Sequence, residues 1–232
     1  MKEYIVITAD IVDSKKIGNI NELDKLLKKL NSLIDDKSIM KFKLSRGDEI
    51  QAIFKKNVFI PEIIRLMLYS FYPINLRIGI GIGEIPDEKL KIKNSWNSNG
   101  EAFYNARKAI DILEKKDKKN KTKKISSIFL KSSNDFFDDC FNSFYILNFL
   151  NYNRWKQTQW DAIQSYEKLE NLEKSANELK ISFSAVQQRI ASANWLFIKE
   201  AEEIFYFRIL KQLNNSRKKP GKTIIPGKNL EK

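Results

Sequence analysis

Apolar residues are arranged at the start of the chain in a way that predicts a strand and then a helix. Residues 4 to 9 are mostly apolar and branched, which is typical of a buried strand. From Asn21 to Ile34, leucine and isoleucine recur at helical spacing and form one apolar stripe. The pattern therefore predicts a β-strand followed by an amphipathic α-helix.

The pattern downstream predicts a hairpin and then a second helix. Residues 39 to 45 and 49 to 54 flank a short polar turn, as the two strands of a hairpin do. A helix is predicted at about 60 to 71, with Pro61 in its first turn, where proline is well tolerated.

A strand at 76 to 84 and a helix from about Asn99 to Glu114 complete the order β-α-β-β-α-β-α. This order is that of the ferredoxin-like split βαβ unit with one added helix, so we expect an α+β fold. In that topology the third strand lies between the first and the second and is antiparallel to the first. It therefore begins beside the point where the first strand ends.

Two acidic turns fall at the strand ends that this topology brings together. Asp10 stands at the end of the first strand, and Asp48 lies in the turn before the third. Carboxylates held in this way can clamp a divalent cation on a triphosphate, because hard cations prefer oxygen ligands. The sequence predicts a Mg²⁺ or Mn²⁺ site at Asp10, Asp48 and the adjoining Ile11, with a nucleoside triphosphate as partner. The alternative is that these carboxylates serve only the geometry of the turns.

Glycine occupies one whole face of the fourth predicted strand, from Arg77 to Glu84. Gly79, Gly81 and Gly83 alternate with isoleucines, so the glycines share a face. Glycine weakens a strand, and a glycine face therefore indicates a close approach to the backbone. A tightly packed helix and an approaching ligand explain the face equally well.

Composition excludes several kinds of chemistry. The 232 residues contain no histidine, which removes Ser-His-Asp and Cys-His nucleophiles and every His-ligated zinc site. The single cysteine, Cys140, excludes an internal disulfide and agrees with a reducing compartment. No apolar run is long enough to span a membrane, and Met1 leads almost directly into a strand. We expect a cytoplasmic protein without a membrane partner.

The formal charge of +13 is concentrated in two stretches. Residues 115 to 131 and 211 to 232 account for all of it, whereas the segment from 151 to 210 is neutral. A lysine run such as 115 to 131 is more often a solvated loop than a binding patch. The tail from Lys211, with two Pro-Gly pairs, is predicted to be disordered.

The second half of the chain predicts helices after one more strand at 126 to 130. Asn134 to Asn153 is an aromatic-rich helix, too apolar to stand alone. Thr158 is predicted to cap the next helix, with Asp161 completing a capping box. A short helix at 172 to 179 follows.

The connection after that short helix predicts a helix-turn-helix. Ser182 is expected to cap a helix running through Ala193, with Phe183, Val186 and Ile190 packed inward. Glutamine and arginine at the start of such a helix can bind adenine and guanine edges in DNA. The predicted DNA-binding residues are Ser184, Gln187, Gln188 and Arg189. A partner-binding module is the alternative, because the segment is neutral and phosphate attraction normally supplies much of the affinity for DNA.

The motifs of the first half resemble the class III nucleotidyl cyclase domain over roughly residues 1 to 130. The resemblance rests on Asp10-Ile11, Gly47-Asp48, Arg77-x-Gly79-Ile80 and Gly100-x-x-Phe-x-x-Ala106. Arg46 to Ile50 is also similar to the GGDEF signature of diguanylate cyclases, which share the palm. With the helix-turn-helix behind it, the whole chain resembles the SatD family.

The cyclase resemblance implies a nucleotide site, with departures at three positions. Leu44 stands where cyclases often carry a base-selecting residue, Tyr104 where they carry an asparagine, and Lys108 where they carry an arginine. Asn105 and Arg107 lie one place off, and one residue turns a helical side chain by about 100°. The nucleotide-binding set that this implies is Arg46, Gly47, Tyr104, Asn105, Arg107 and Lys108. Cyclase palms also pair, so a homodimer is implied, with Tyr104 to Lys108 facing the partner's metal carboxylates.

These features divide the chain into a cyclase-like palm at 1–132, a connecting aromatic-rich helix at 133–153, a helix-turn-helix at 154–210 and a basic tail at 211–232. The first interpretation is a nucleotide- and metal-binding regulator that binds DNA. An active nucleotidyl cyclase or nucleotidyltransferase is one alternative, and an interaction protein with a vestigial palm is another. The sequence assigns no catalytic residue, and enzymatic turnover is left open.

Overall fold

A five-stranded sheet organises the first half of the chain. The structure is a computed structural model and describes residues 2–12, 20–34, 37–46, 48–86, 88, 100–120 and 126–209. The elements of this half, in chain order, are β1 (Lys2–Ile11), α1 (Ile20–Ile34), β2 (Ser38–Arg46), β3 (Glu49–Lys55), α2 (Ile60–Phe71), β4 (Leu76–Ile85), α3 (Glu101–Asn120) and β5 (Ser127–Lys131). The fold is thus of mixed α and β type. The strands and helices predicted up to Phe71 closely match the observed elements.

The strands lie in the order β2-β3-β1-β4-β5. β1 is the central strand and is antiparallel to both β3 and β4, while β4 and β5 are parallel. β3 therefore lies between β1 and β2, as expected from the sequence, and its first residues are beside the last residues of β1. Asp10 is directly opposite Glu49 of β3 and Arg77 of β4.

The two faces of the sheet have different coverings. Ile5, Ile7 and Ala9 of β1 belong to the main apolar core, which also contains the apolar stripes of α1 and α2. Tyr4 and Val6 point to the other face, because side chains alternate along a strand. On that second face they pack with the alanines of α3.

The glycine face of β4 is covered by α3, so helix packing rather than a ligand accounts for the glycines. A methyl group built on Gly81 would lie 2.0 Å from the carbonyl oxygen of Ala102. One built on Gly79 would lie 2.6 Å from the carbonyl oxygen of Ala106. The glycines therefore allow backbone-to-backbone packing of helix on strand.

α3 also changes the interpretation of the lysine run. The helix continues to Asn120, six residues beyond its predicted end, so Lys115 to Lys119 are helical rather than part of a loop. Residues 121 to 125 and the basic tail from 211 lie outside the described part of the chain.

The second half is helical from Asp135 onward. Its elements are α4 (Asp135–Tyr152), α5 (Gln157–Leu169), α6 (Leu172–Leu179), α7 (Phe183–Ser192), α8 (Trp195–Ile204) and a π-helical turn at Phe205–Ile209. α4 has Asn134 as its N-cap and docks on β5, where the Asn142 side chain bonds both the N–H and the C=O of Leu130. The capping prediction for α5 is wrong. The helix begins at Gln157, and the Gln159 side chain accepts the N–H of Lys156 at 2.8 Å. No element was predicted for the stretch that forms α8.

Aromatic residues and one buried ionic network join the two halves. Trp155, Trp160 and Trp195 pack edge to face within the main core. Arg65 of α2 is buried, pairs with the buried Glu202 of α8, and also contacts Glu167 of α5 at 3.2 Å. Its guanidinium lies 4.6 Å from the centre of the Trp195 ring. The helices of the second half are therefore held against α2 by charge as well as by apolar packing.

No helix among the described residues is long and apolar enough to cross a membrane.

Candidate functional site

The ends of β1 and β3 bring Asp10 and Asp48 into electrostatic contact. Asp10 is opposite Glu49 in the register, and Asp48 is the residue immediately before Glu49. Burial raises the pKa of Asp10, Arg77 lowers it, and the negative charges of Asp48 and Glu114 raise it further. The net pKa is above the ordinary value, because the carboxyl is half-buried among other acids.

Arg77 holds Asp10 from the neighbouring strand. Its guanidinium donates to Asp10 and, through Nε, to Asp117 of α3 at 2.6 Å. The side chains of Arg77 and Asp10 are only 17% and 19% exposed, whereas Asp117 is 40% exposed. One arginine thus connects the sheet to the covering helix through two carboxylates.

A second arginine of α3 contacts β3 beside this group. Arg107 reaches Glu49 with both terminal nitrogens, at 2.8 and 3.0 Å, in the two-pronged geometry that suits a carboxylate. Glu49 is buried, and the neighbouring Gln51 donates to the Thr8 hydroxyl at 2.8 Å. The polar end of the second sheet face is therefore an ordered network of ion pairs and hydrogen bonds beneath α3.

The predicted nucleotide-binding residues of α3 point in different directions. Tyr104 is 69% exposed, and Lys108 is also exposed. Asn105 is buried and donates to the carbonyl of Ile82 at 2.8 Å, so it serves the packing of helix on strand. Among the members whose side chains the structure describes, Arg107 reaches the carboxylate network. The side chain of Arg46, and Gly47 as a whole, lie outside the described residues.

One member of the predicted metal set, Asp10, already contacts a guanidinium. Arg77 donates a hydrogen bond to the Asp10 carboxylate. Ile11 has a buried, apolar side chain, so its backbone carbonyl is the only oxygen that it could offer to a metal. Within the part of the chain that the structure describes, no group of three or more Asp, Glu, Cys or His side chains is arranged to hold a metal. Arg77 contacts Asp10 through Oδ2, so a divalent cation at that oxygen would displace the arginine.

The predicted DNA-binding residues lie along α7, from Ser184 in its first turn to Arg189 in its last. Lys180, in the left-handed region at φ 54°, ends α6, and Ser182 caps α7 by accepting the N–H of Ala185 at 3.2 Å. Val186 and Ile190 are buried, as predicted, but Phe183 is 46% exposed, so the prediction that it packs inward is wrong. It lies in the first turn, ahead of the buried pair. The structure leaves Ser184, Gln187 and Gln188 exposed, and Arg189 half-buried.

Three residues of this polar network were missed in the sequence. In the sequence, Arg77 belongs to a motif, Glu49 to the segment from Arg46 to Ile50, and Asp117 to the lysine-rich stretch from 115 to 131. The strand order contains a usable signal for the first two, since β3 and β4 both flank β1 and place their side chains opposite Asp10. Asp117 has no such signal, because its position depends on how far α3 continues.

Comparison with models of protein families gives a match over most of the chain. The model of the SatD family matches residues 4–204, which is most of the chain and includes both the sheet and the helices up to α8. A search of curated proteins gave no match.

Proposed function

The chain belongs to the SatD family, and we propose that it is a nucleotide- and metal-responsive regulator with a DNA-binding helix-turn-helix. In this proposal the sheet with α1, α2 and α3 is a ferredoxin-like palm of the cyclase type, and α6 and α7 form the helix-turn-helix. The observation that carries it is the electrostatic contact of Asp10 and Asp48 at neighbouring strand ends.

The nucleotide arm is supported by the polar network at the end of β1. Asp10 and Asp48 supply carboxylates, and Arg107 supplies a cation that could turn from Glu49 towards a phosphate, since its side chain is 43% exposed. When bound, Mg²⁺ or Mn²⁺ would neutralise the triphosphate charge at these carboxylates. Tyr104 is exposed beside this face and could stack on a base.

A melting experiment tests the nucleotide arm. The protein is melted with each of the four nucleoside triphosphates in turn, in the presence of Mg²⁺ or Mn²⁺. One of them should raise its melting temperature. A ligand at a hundredfold excess over its dissociation constant stabilises by about 2.7 kcal/mol. Asp48→Asn should remove the shift, whereas Asp139→Asn, the same change at an exposed site on α4, should keep it. If no triphosphate shifts the melting curve, the nucleotide arm is refuted.

The DNA arm is supported by exposed polar side chains along α7 and by the basic tail. Ser184, Gln187 and Gln188 are exposed, which suits contact with base edges. The tail could supply the phosphate attraction that the neutral segment lacks.

Binding to genomic DNA fragments, measured over a range of salt concentrations, tests the DNA arm. Arg189→Ala should relax sequence preference, whereas Arg154→Ala, an exposed arginine outside α7, should not. Removal of residues 211–232 should weaken binding to all sequences and flatten its salt dependence. Absence of binding at low salt would assign the module to a protein partner instead.

The sequence implied a homodimer in which Tyr104 to Lys108 face the partner's Asp10 and Asp48; we propose such a dimer with Tyr104 and Lys108 as the facing residues, since Asn105 and Arg107 have contacts within their own chain. Tyr104 and Lys108 are exposed and available for such a contact. Ile146, Leu147 and Leu150 of α4 provide a second exposed apolar surface that an isologous contact would cover. Light scattering at micromolar concentration tests this, and a monomer would refute the shared site.

A second candidate function is an interaction protein with a vestigial palm, and it is favoured by the contact between Arg77 and Asp10. In that case no nucleotide binds, and the sheet only supports the helices. Incubation with all four labelled triphosphates and Mg²⁺ or Mn²⁺, followed by separation of products, distinguishes both candidates from an active cyclase, which alone would give a new product.

A further inference from the structure

Asp10 already has a cationic partner within the protein, the side chain of Arg77. The two residues are directly opposite each other on adjacent antiparallel strands, so the backbone register fixes their proximity. Asp117 of α3 holds the guanidinium from a second side at 2.6 Å. The arginine is thus anchored by one carboxylate of the sheet and one of the helix.

The charges around Asp10 explain why a cation is held there. Asp48 and Glu114 both act on Asp10 with negative charge, in addition to Asp117 on the far side of Arg77. Arg107 is engaged with Glu49. Glu114 has its own cationic partner, Lys118, at 3.8 Å. Asp10, Asp48 and Asp117 still outnumber the single charge of Arg77, and such an acidic region would also attract a divalent ion.

A divalent ion and the guanidinium would compete for Asp10 Oδ2, the oxygen that Arg77 Nη1 contacts. Both bind Asp10 through its oxygens, and two positive charges a few ångströms apart repel each other. Arginine does not lose its proton at accessible pH, so it cannot yield by titration. A metal that binds Oδ2 therefore has to displace the arginine side chain.

We propose that Arg77 is a built-in counter-cation that occupies the cation position at Asp10, so that a divalent ion binds there only when the Arg77 side chain withdraws. The inference rests on the proposed function for its biological meaning, since a site gated by Arg77 would bind metal only together with a ligand that displaces it. Asp117 is the second anchor that keeps the arginine in place.

Titration of the full chain with Mn²⁺, followed through the electron paramagnetic resonance signal of free Mn²⁺, tests this inference. Arg77→Met should bind Mn²⁺ at least about tenfold more tightly than the unchanged protein, because a nearby positive charge is removed. Arg77→Met combined with Asp10→Asn should lose that gain. Arg154→Met, which removes the same charge from an exposed site in the second half, should show no gain.

The variants also separate failure of the inference from loss of the fold. Circular dichroism checks each variant, and Asp117→Asn keeps Arg77 while removing one anchor, so it should give a smaller gain than Arg77→Met. An affinity for Mn²⁺ that is unchanged in both variants, or a gain that survives Asp10→Asn, would overturn the inference. A gain in Mn²⁺ affinity in Arg77→Met without any nucleotide-induced melting shift supports the counter-cation and refutes the nucleotide function. A melting shift without a gain in Mn²⁺ affinity supports the nucleotide function and refutes the counter-cation.

Discussion

Replacing Arg65 with methionine tests how the two halves of the protein are joined. Arg65 lies on α2, its side chain is 3% exposed, and its main partner Glu202 on α8 is 1% exposed. Glu202 also accepts the hydroxyl of Tyr152, which is buried as well. Methionine keeps the apolar stem of the side chain next to Trp195 but leaves the Glu202 carboxylate without its cation.

The size of the effect follows from that unpaired buried charge. Removing one partner of a buried ion pair typically costs about 3 to 5 kcal/mol, since the remaining charge stays desolvated. We therefore expect Arg65→Met to lower the free energy of unfolding by this amount. Replacing both partners, as Arg65→Met with Glu202→Met, should recover most of the loss, because an apolar pair of similar size is often as stable as the ion pair.

The loss should also depend on pH in a defined direction. Burial raises the pKa of Glu202, although Arg65 and the Tyr152 hydroxyl partly offset this. Without Arg65 the folded-state pKa should rise further above the unfolded value of about 4.3. A raised carboxyl pKa in the folded state means that stability is lost as pH rises through it. The deficit of Arg65→Met should therefore be smaller at acidic than at neutral pH.

Urea unfolding followed by tryptophan fluorescence measures these effects, since Trp195 lies beside Arg65. Lys37→Met is the matched control. Its partner Glu62 and Lys37 itself are both more than a third exposed, so the loss should be under about 1 kcal/mol. A loss in Arg65→Met no larger than in the control, or no recovery in the double variant, would refute the reasoning.

Further expectations concern packing and caps. Gly81→Ala should prevent normal folding, because the added methyl group meets the backbone of α3 at 2.0 Å, and circular dichroism should then show no melting transition. Gly100→Ala should have a milder effect, since its nearest contact is 3.1 Å. Equal effects of the two substitutions would contradict this account. Asn142→Ala leaves the N–H and C=O of Leu130 without their partner and should cost about 1 to 3 kcal/mol in urea unfolding, and no loss would show that the two bonds are dispensable. Ser182→Ala removes the cap of α7 and should cost about 1 kcal/mol, whereas Ser184→Ala should cost less, and the opposite order would argue against the cap.

Local patterns in the sequence were enough to predict most elements of the fold. The apolar stripe of α1, the proline at the start of α2 and the cap at Ser182 each act through neighbouring residues, so they mark helices without reference to the rest of the chain. The element order also predicted that β3 begins beside the end of β1, which places Asp48 near Asp10.

Contacts between distant elements were decided only by the tertiary structure. α3 fills the glycine face, and its length brings Asp117 to Arg77 across 40 residues of sequence. Arg65 and Glu202 are 137 residues apart, and neither pattern nor spacing relates them. The proximity of Asp10 and Asp48 was therefore predictable from strand order. The contact between Arg77 and Asp10 also depends on the register of β4, which strand order alone does not give. Hydrophobic periodicity specifies which face of an element is buried, but the partner of a buried charge depends on how whole elements pack together.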